Sequence, residues 1–411
     1  METIVNEIFR KRIECAAFNG SVIAKDILEE LKRPIEEITD KTANYFNATK
    51  VTGESDGITT MRIKISYCNK DLANENFPDK DNQQAPYFPE NRTSVAPSTF
   101  VGLFKNLKDK YSDEDLAYFD SAIRLNTFVR LRISNTMEDF YHAYLEYDYY
   151  NVVESSDCPL LHSCMRYEGK ARSAADFYAN FCNASILIAE TADGDVLGRA
   201  VLWNGVKMTT FDKQDLGYTN LMDRMYFSYS FLVKYMRMFA ASNGYDVCKR
   251  YNDYCSTLNF MVIGSFGALH EGDAFEANAS IKLHASKTYK HGAPYLDTLH
   301  SLLYNVDGEF VLTNDESNEC VASLRSSAGC ADRESSICPS CGKLHGGIGY
   351  CSSCFESFFK KQLNTIFIRG AAAMHDGISY PAHMVNVADD GTTSMIDHYN
   401  NDQILENIFC Y

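Results

Sequence analysis

The chain has 411 residues, of which 45% are hydrophobic, 23% charged and 13% aromatic. At roughly 100–200 residues per domain, this length makes two or three domains with sizeable cores, and so many aromatics exclude disorder over the whole chain. Asp and Glu outnumber Lys and Arg by 55 to 39, a net charge of −16, which argues against broad electrostatic binding to nucleic acid or to an anionic membrane surface. No apolar run approaches the ~20 residues that span a bilayer. The stretch METIVNEIFRKRIECAAFNG scatters charge where a secretory signal carries an apolar core. The expectation is a cytoplasmic chain with no membrane partner. Of its 14 cysteines, the scattered ones are then reduced and buried as small hydrophobes.

In chain order, residues 1–47 read as helical. Ile4, Ile8 and Ile13 are spaced for one face, and Ile23, Ile27, Leu28 and Leu31 form a second stripe that Pro34 ends or kinks. Thr59–Cys68 alternates, with Ile63, Ile65 and Tyr67 on one side and Arg62, Lys64 and Ser66 on the other, which predicts a half-buried strand. Residues 1–70 thus make a helical N-terminal region with a strand. Residues 71–97 hold Pro78, Pro86, Pro89 and Pro97 among many Asn, Asp and Gln, and read as a linker or long loop.

Regular structure resumes at Ser98. Phe100, Phe104 and Leu107 predict a short helix, and Ser112-Asp-Glu-Asp115 is an N-cap before Leu116, Phe119 and Ile123. Residues 138–150 read as a Tyr-rich amphipathic helix and Ala174–Phe181 as another helix. Ser185–Glu190 is a buried strand, Ala192-Asp-Gly-Asp195 a hairpin turn and Val196–Trp203 the return strand. A loop is predicted over 204–220, a strand over Asn220–Tyr229 and a helix over Phe231–Ser242, stopped by Gly244. Leu258–Ile263 and Phe310–Thr313 read as strands and Ser317–Ser336 as a linker. Phe355–Leu363 reads as a helix and Thr365–Arg369 as a strand, in a C-terminal segment (364–411) that is otherwise loop.

Four cysteines stand together: Cys338-Pro-Ser-Cys341 and Cys351-Ser-Ser-Cys354. Each Cys-x-x-Cys knuckle turns two thiolates toward one cation, and two knuckles complete a tetrahedral shell suited to zinc. Gly342, Gly346, Gly347 and Gly349 ease the turns between them. The expectation is a zinc ribbon over 336–363 with a structural ion held by Cys338, Cys341, Cys351 and Cys354. With all four positions filled, no coordination site is left for catalysis. Residues 331–362 carry four Arg or Lys against three Asp or Glu, so the ribbon barely favours nucleic acid and serves as well as a folding staple.

The segments ILIAE, TADGD and VLGRAVLW, the strand MDRMYF and the helix ending AASNGY resemble the acyl-CoA-dependent N-acetyltransferase fold. In that fold the strand-to-helix turn carries a glycine-rich loop whose backbone N–H groups cradle the CoA pyrophosphate at a helix N-terminus. Here the turn reads Tyr226-Phe-Ser-Tyr-Ser-Phe231, without glycine, so no cofactor-binding residue is expected. More narrowly, roughly 95–320 is similar to a family of proteins encoded by large tailed bacteriophages. The matching pieces are SDEDLAYF, Ser163-Cys-Met-Arg166, Gly198-Arg-Ala-Val-Leu-Trp203, Met222-Asp-Arg-Met-Tyr226 and Pro294-Tyr-Leu-Asp-Thr298. The resemblance implies a viral origin and an acetyltransferase-like core, and brings no activity or catalytic residue with it.

Other groupings are weaker. His162, Cys164, Arg166 and Glu168 could hold a Cys-His nucleophile, against an ordinary buried Cys164. Asp223 and Arg224 interrupt an apolar strand. Strict alternation puts Met222, Arg224 and Tyr226 on one face and Asp223, Met225 and Phe227 on the other, with a buried ion pair of Asp223 to Arg199 or Arg166 as the bland outcome. His284, His291, His300, His375 and His383 lack catalytic-zinc spacing.

The expected architecture is α+β: a helical N-terminal region, an acetyltransferase-like mixed sheet with flanking helices (98–335) and the ribbon. The expected role is a phage interaction or binding protein with a protein partner from phage or host, in the host cytoplasm or with the virion. The alternatives are an acyl-CoA-dependent N-acyltransferase with an atypical cofactor site, and a nucleic-acid-associated protein acting through the ribbon.

Overall fold

The structure, a computed structural model, describes residues 5–39, 43–55, 57–69, 92–210, 212–251, 258–261, 274–284, 296, 299, 301–304, 309–314, 320–323, 335–337, 341, 343–346, 353–354, 372–375, 378–381, 385–387 and 393–395. Helix α1 (Glu7–Phe18) begins where the Asn6 side chain accepts from the N–H groups of Ile8 and Phe9. It buries Phe9, Arg12, Ile13, Ala16 and Ala17 and leaves Ile8 exposed, so of the expected face Ile13 packs and Ile8 does not, while Ile4 lies outside the described residues. Helix α2 (Val22–Glu30), capped by Ser21, buries Ile23 and Ile27 as their spacing predicts, and α3 (Ile35–Ile38) follows Pro34.

The helical reading of 1–47 ends early. Strands β1 (Ala43–Ser55) and β2 (Ile58–Asn69) form an antiparallel hairpin that turns at Gly57, φ +76°. On β2, Ile63, Ile65 and Tyr67 are buried and Arg62 and Lys64 exposed. Strand β3 (Arg92–Val95) pairs with β2 inside the stretch expected to be a linker, and α4 (Pro97–Val101) follows; residues 70–91 lie outside the described residues. Helix α5 (Asp113–Ala122) starts at Ser112, whose hydroxyl accepts from Asp115 N–H. Strand β4 (Arg130–Ser134) carries no strong apolar pattern and was not expected. Helix α6 (Met137–Tyr144) is shorter than the Tyr-rich run, which continues as a 3-10 turn and then β5 (Val152–Val153), parallel to β2. Helix α7 (Glu168–Phe181) begins earlier than expected.

The central sheet is built from β6 (Ala184–Glu190), β7 (Val196–Thr209) and β8 (Asp215–Phe227), consecutive and antiparallel. The expected loop over 204–220 is instead the far end of a long β7–β8 hairpin. Helix α8 (Phe231–Ser242) stops at Gly244, φ +81°, as its sequence predicts, and crosses over to β9 (Asp246–Tyr251), parallel to β8. Strands β10 (Leu258–Met261), β11 (Ala274–Lys282), β12 (Ser301–Tyr304), β13 (Phe310–Thr313) and β14 (Cys320–Ser323) extend it. The order is β14-β12-β13-β11-β10-β9-β8-β7-β6-β4. Because Asn278, Ala279 and Ser280 of β11 also pair with Thr209, Met208 and Lys207 of β7, the path β7-β8-β9-β10-β11 returns to its start. The edge strand β4 is anchored by its arginines: Arg130 and Arg132 both pair with buried Glu190.

Apolar cores form on both faces of this sheet. One joins α1, α2, α5 and α8 to Leu187, Leu197, Ala200, Leu202 and Met222. The other joins α6 and α7 to Ile186, Ile188, Val201, Trp203 and Leu221, and reaches Ala277, Ala279 and Leu312. The N-terminal helices therefore share a core with the central sheet. Buried Asn19 ties them in: its side chain donates to Thr127 O (3.0 Å) and accepts from Val129 N–H (2.8 Å).

Further on, β15 (Ser335–Ile337) and β16 (Leu344–Gly346) form a small hairpin, as do β17 (Ala372–His375) with β18 (Ile378–Pro381) and β19 (Val385–Val387) with β20 (Thr393–Met395). Part of the expected 317–336 linker is therefore strand, and the C-terminal segment holds hairpins. The predicted helix 355–363 and strand 365–369 lie outside the described residues. Among the described residues no helix is long and apolar enough to cross a membrane. The chain is a mixed α+β protein.

Gly198 of β7 packs tightly against β8 and α8: a Cβ there would lie 3.0 Å from Tyr226 O and 3.3 Å from Met236 Sδ. Gly198→Ala should therefore destabilise by about 1–3 kcal/mol through overpacking, where an ordinary strand glycine would gain from the change. Urea unfolding checks this, and an unchanged or raised midpoint would show that the strands are not so closely packed.

Candidate functional site

Two register shifts create the site. Ala189 pairs with Gly198 but Glu190 pairs with Val196, so β7 carries an extra residue at Leu197. Ala200 pairs with Met225 but Leu202 with Met222, so β8 carries one at Asp223–Arg224. Such bulges turn neighbouring side chains to the other face. Leu197 joins the first core while Val201 and Trp203 join the second. Arg199 goes with Val201, against the tyrosines, and Leu197 does not share its face. In β8 the expected alternation fails in the same way: Met222, Met225 and Phe227 pack on the first core and Tyr226 on the second.

Arg199 is 1% exposed. Its guanidinium carbon lies over two aromatic rings, 3.7 Å from the Tyr144 ring centroid and 4.3 Å from that of Tyr226. Its Nη2 donates to Ser163 Oγ at 2.6 Å. The Tyr149 hydroxyl close by donates to Tyr144 O at 2.7 Å. Its Nε makes no hydrogen bond. Burial disfavours the charge and the surrounding tyrosines favour it, and the balance lies above the ordinary guanidinium range. Arg199 is thus a permanent cation, held by two tyrosine rings and the Ser163 hydroxyl. It lines a small cleft of about 20 Å³, room for little more than a water molecule, together with Ser163, Met165, Tyr178, Asp223 and Arg224.

Asp223 does not pair with Arg199 or Arg166. Its Oδ2 accepts from Trp203 Nε1 at 2.7 Å, while Arg166 pairs with Glu146 at 2.8 Å. Of the Cys-His grouping, His162 Nε2 meets the Ser156 carbonyl at 2.9 Å, and Cys164 is exposed where an ordinary buried thiol was the alternative expected. Sequence reasoning named Arg199 only as a partner for Asp223. The signal it passed over was a charged residue inside VLGRAVLW together with the tyrosines of the 138–150 run.

The second feature is the start of α8, reached from β8 through Ser228, Tyr229 and Ser230. Ser230 N–H and Oγ donate to Glu154 Oε2 at 2.6 and 3.0 Å, and Ser121 Oγ donates to the same oxygen at 2.7 Å. Phe231 N–H donates to Ser121 Oγ at 3.0 Å. Arg124 reaches Glu154 Oε1 at 3.3 Å. The first donors of the helix are therefore spent on a carboxylate and a hydroxyl of the chain itself. Tyr229 is buried beneath them, and burial holds its phenol well above the usual range.

Of the expected zinc ligands, Cys341 and Cys354 are partly buried, while Cys338 and Cys351 lie outside the described residues. Cys341 falls in the chain between the paired strands β15 and β16. Four thiols in two Cys-x-x-Cys pairs suit zinc as a donor set. Among the described residues, no cluster of three or more His, Cys, Asp or Glu is placed to hold a metal.

No family model, curated protein or solved structure matches the chain.

Ser121→Ala should cost about 1–3 kcal/mol, since it strands the buried Phe231 N–H, and Glu154→Ala less, since water reaches the donors of exposed Ser230. The double variant should lose less than the sum, because both side chains serve one network. A double-mutant cycle by urea unfolding measures this, and strict additivity would separate the two residues. Burial also pushes the thiols of Cys15, Cys68 and Cys158 up, and that of Cys182 well up. Raised values leave little thiolate at neutral pH. Iodoacetamide on the native protein should therefore label exposed Cys164 and spare these four, as read by peptide mass spectrometry.

Proposed function

We propose that the chain is a phage-encoded interaction or binding protein on an acetyltransferase-like core that has lost its cofactor cradle, with one structural zinc ion. The observation that carries this reading is Glu154 at the start of α8. In the fold the sequence resembles, this helix end receives the CoA pyrophosphate on backbone N–H groups. Here a carboxylate of the chain takes that place. A second anion would meet both its negative charge and the loss of its hydrogen bonds. The mixed sheet supports an acetyltransferase-like core, since three antiparallel strands lead through a helix to a parallel fourth. The expected partner is a protein of phage or host, met in the host cytoplasm.

Calorimetry with acetyl-CoA tests this directly. No binding is expected, and micromolar binding competed by CoA would overturn it in favour of an acyl-CoA-dependent N-acyltransferase. One observation favours that second reading. Among the described residues, strands β8 and β9 pair at Leu221–Asp246 and Met222–Val247 alone, and Asp223, Arg224 and Tyr226 beyond that point line the small cleft.

Zinc would be held by Cys338, Cys341, Cys351 and Cys354 and would staple the β15–β16 hairpin to the second knuckle. Elemental analysis of protein purified without chelator should find close to one zinc per chain, lost in Cys341→Ser. Absence of metal from the unaltered protein would remove the ribbon from the reading.

A further inference from the structure

We propose that the open edge of β4, with the exposed pair Phe18 and Phe128 at its head, is a docking site for an extended segment of another protein that alternates acidic and apolar residues. The proposal rests on the reading of the chain as an interaction protein, and names the surface and the chemistry of the partner.

Strand β4 ends the order of the large sheet, and among the described residues it pairs with β6 alone. Among those residues, no further backbone hydrogen bond joins 130–134 to the rest of the chain. Every second residue of such a strand turns its N–H and C=O outward. Burial agrees. Strand β6, with a strand on either side, is buried at all but one position, whereas no residue of β4 is fully buried. What fits an open strand edge is another strand.

The head of β4 carries two aromatic rings. Phe18 is 61% exposed and Phe128 41%, and they meet edge to face with centroids 4.9 Å apart. The backbone that bears them is pinned, because Asn19 donates to Thr127 O and accepts from Val129 N–H. Rings held in this way lose little freedom when a partner covers them. Leu131 and Ile133 are half-buried at the rim of the first core, so alternate positions of an added strand meet apolar surface.

The remaining positions select charge. Arg130 and Arg132 lie on the other face of β4, opposite Glu190 and Ile188, and both arginines pair with Glu190. Asp139 also pairs with Arg132. Glu190 is buried and the Arg130 side chain is 68% exposed, so solvent meets a cation here in a chain of net charge −16. An acidic residue beside Arg130 gains a cross-strand ion pair. A second copy of the chain is a poor occupant. Antiparallel pairing of the whole of β4 with itself sets Arg132 against Arg132, and like charges directly opposite destabilise.

The test uses the full-length protein and, as probe, a short capped peptide of alternating glutamate and valine. Calorimetry should give a dissociation constant of about 1 mM or tighter. Hydrogen exchange read by mass spectrometry should slow over 130–134 when the peptide is added. Lysine in place of glutamate should weaken the peptide several-fold, and N-methylation of every residue should abolish its binding, since the ladder cannot then be extended. Phe18→Ser combined with Phe128→Ser should weaken the glutamate peptide by roughly tenfold. Neither ring belongs to a core, and the exchange footprint on the unaltered protein decides the matter even where that variant does not fold. No binding, protection only elsewhere, equal binding of the lysine peptide, binding of the N-methylated one, or full retention in the folded double variant would each overturn the assignment. So would a dimer of the protein alone that the double variant dissolves. Failure of the peptide removes this surface only; the interaction reading falls separately, if acetyl-CoA binds.

Discussion

One extra residue in β7 and one in β8 decide which side of the sheet each neighbouring side chain occupies. Strict alternation would place Leu197, Arg199 and Val201 together. The bulge at Leu197 separates them, giving Leu197 to the core under α1, α5 and α8 and leaving Arg199 beneath α6. The bulge at Asp223–Arg224 then brings Asp223 under the indole of Trp203 and Tyr226 onto the guanidinium. A cation in an apolar layer is tolerable only with such neighbours, because π faces and hydroxyls recover part of the solvation it has given up. The positions of α6, of the Ser163 loop and of β8 are in this sense set by one side chain.

The start of α8 solves a related problem with the opposite sign. A helix N-terminus has unspent N–H donors and a partial positive charge. In this chain both are met by Glu154, which follows β5, with Ser121 from α5 between them. Three elements far apart in sequence therefore meet at one carboxylate. The arrangement favours a fixed scaffold over a ligand cradle, since the donors are engaged before any ligand arrives. Its rigidity also holds the β8–α8 turn against the first core, where Tyr229 and Phe231 pack.

The elements legible in the sequence were those whose burial is one-sided and uninterrupted. Ile23 and Ile27, the alternation from Ile63 to Tyr67, the Asp-Gly turn before Val196 and the stop at Gly244 are all local signals, and each lies where it was read. Strand β1 was missed because ANYFNATKVTGES alternates weakly, and β4 because RLRIS owes its place to Arg130 and Arg132 reaching Glu190. The expected loop over 204–220 concealed strand because Asn, Gly and Thr dominate there, and partners across the hairpin hold it in place. The site was harder still. Bulges leave no mark in residue type, so the faces of Arg199 and Asp223 could not be read. Glu154 had no reason to stand out until the fold brought Ser230 to it.

The return of β11 to β7 carries a consequence for how the chain comes to be built. Residues 207–209 find one partner in β8, a few residues away, and the other in residues 278–280. Until that distant segment has been made and delivered, the outer edge of β7 at this end presents unpaired N–H and C=O groups. An exposed edge of that kind is a template for any other strand. Closing it requires a long loop to be ordered first, which slows folding relative to the local hairpins. The β6–β7–β8 meander can therefore form early on the ribosome, whereas the protection of its open side waits on synthesis of some fifty further residues. Lys207, at the start of that edge, pairs with Asp215 across the hairpin and keeps a charge there in the meantime.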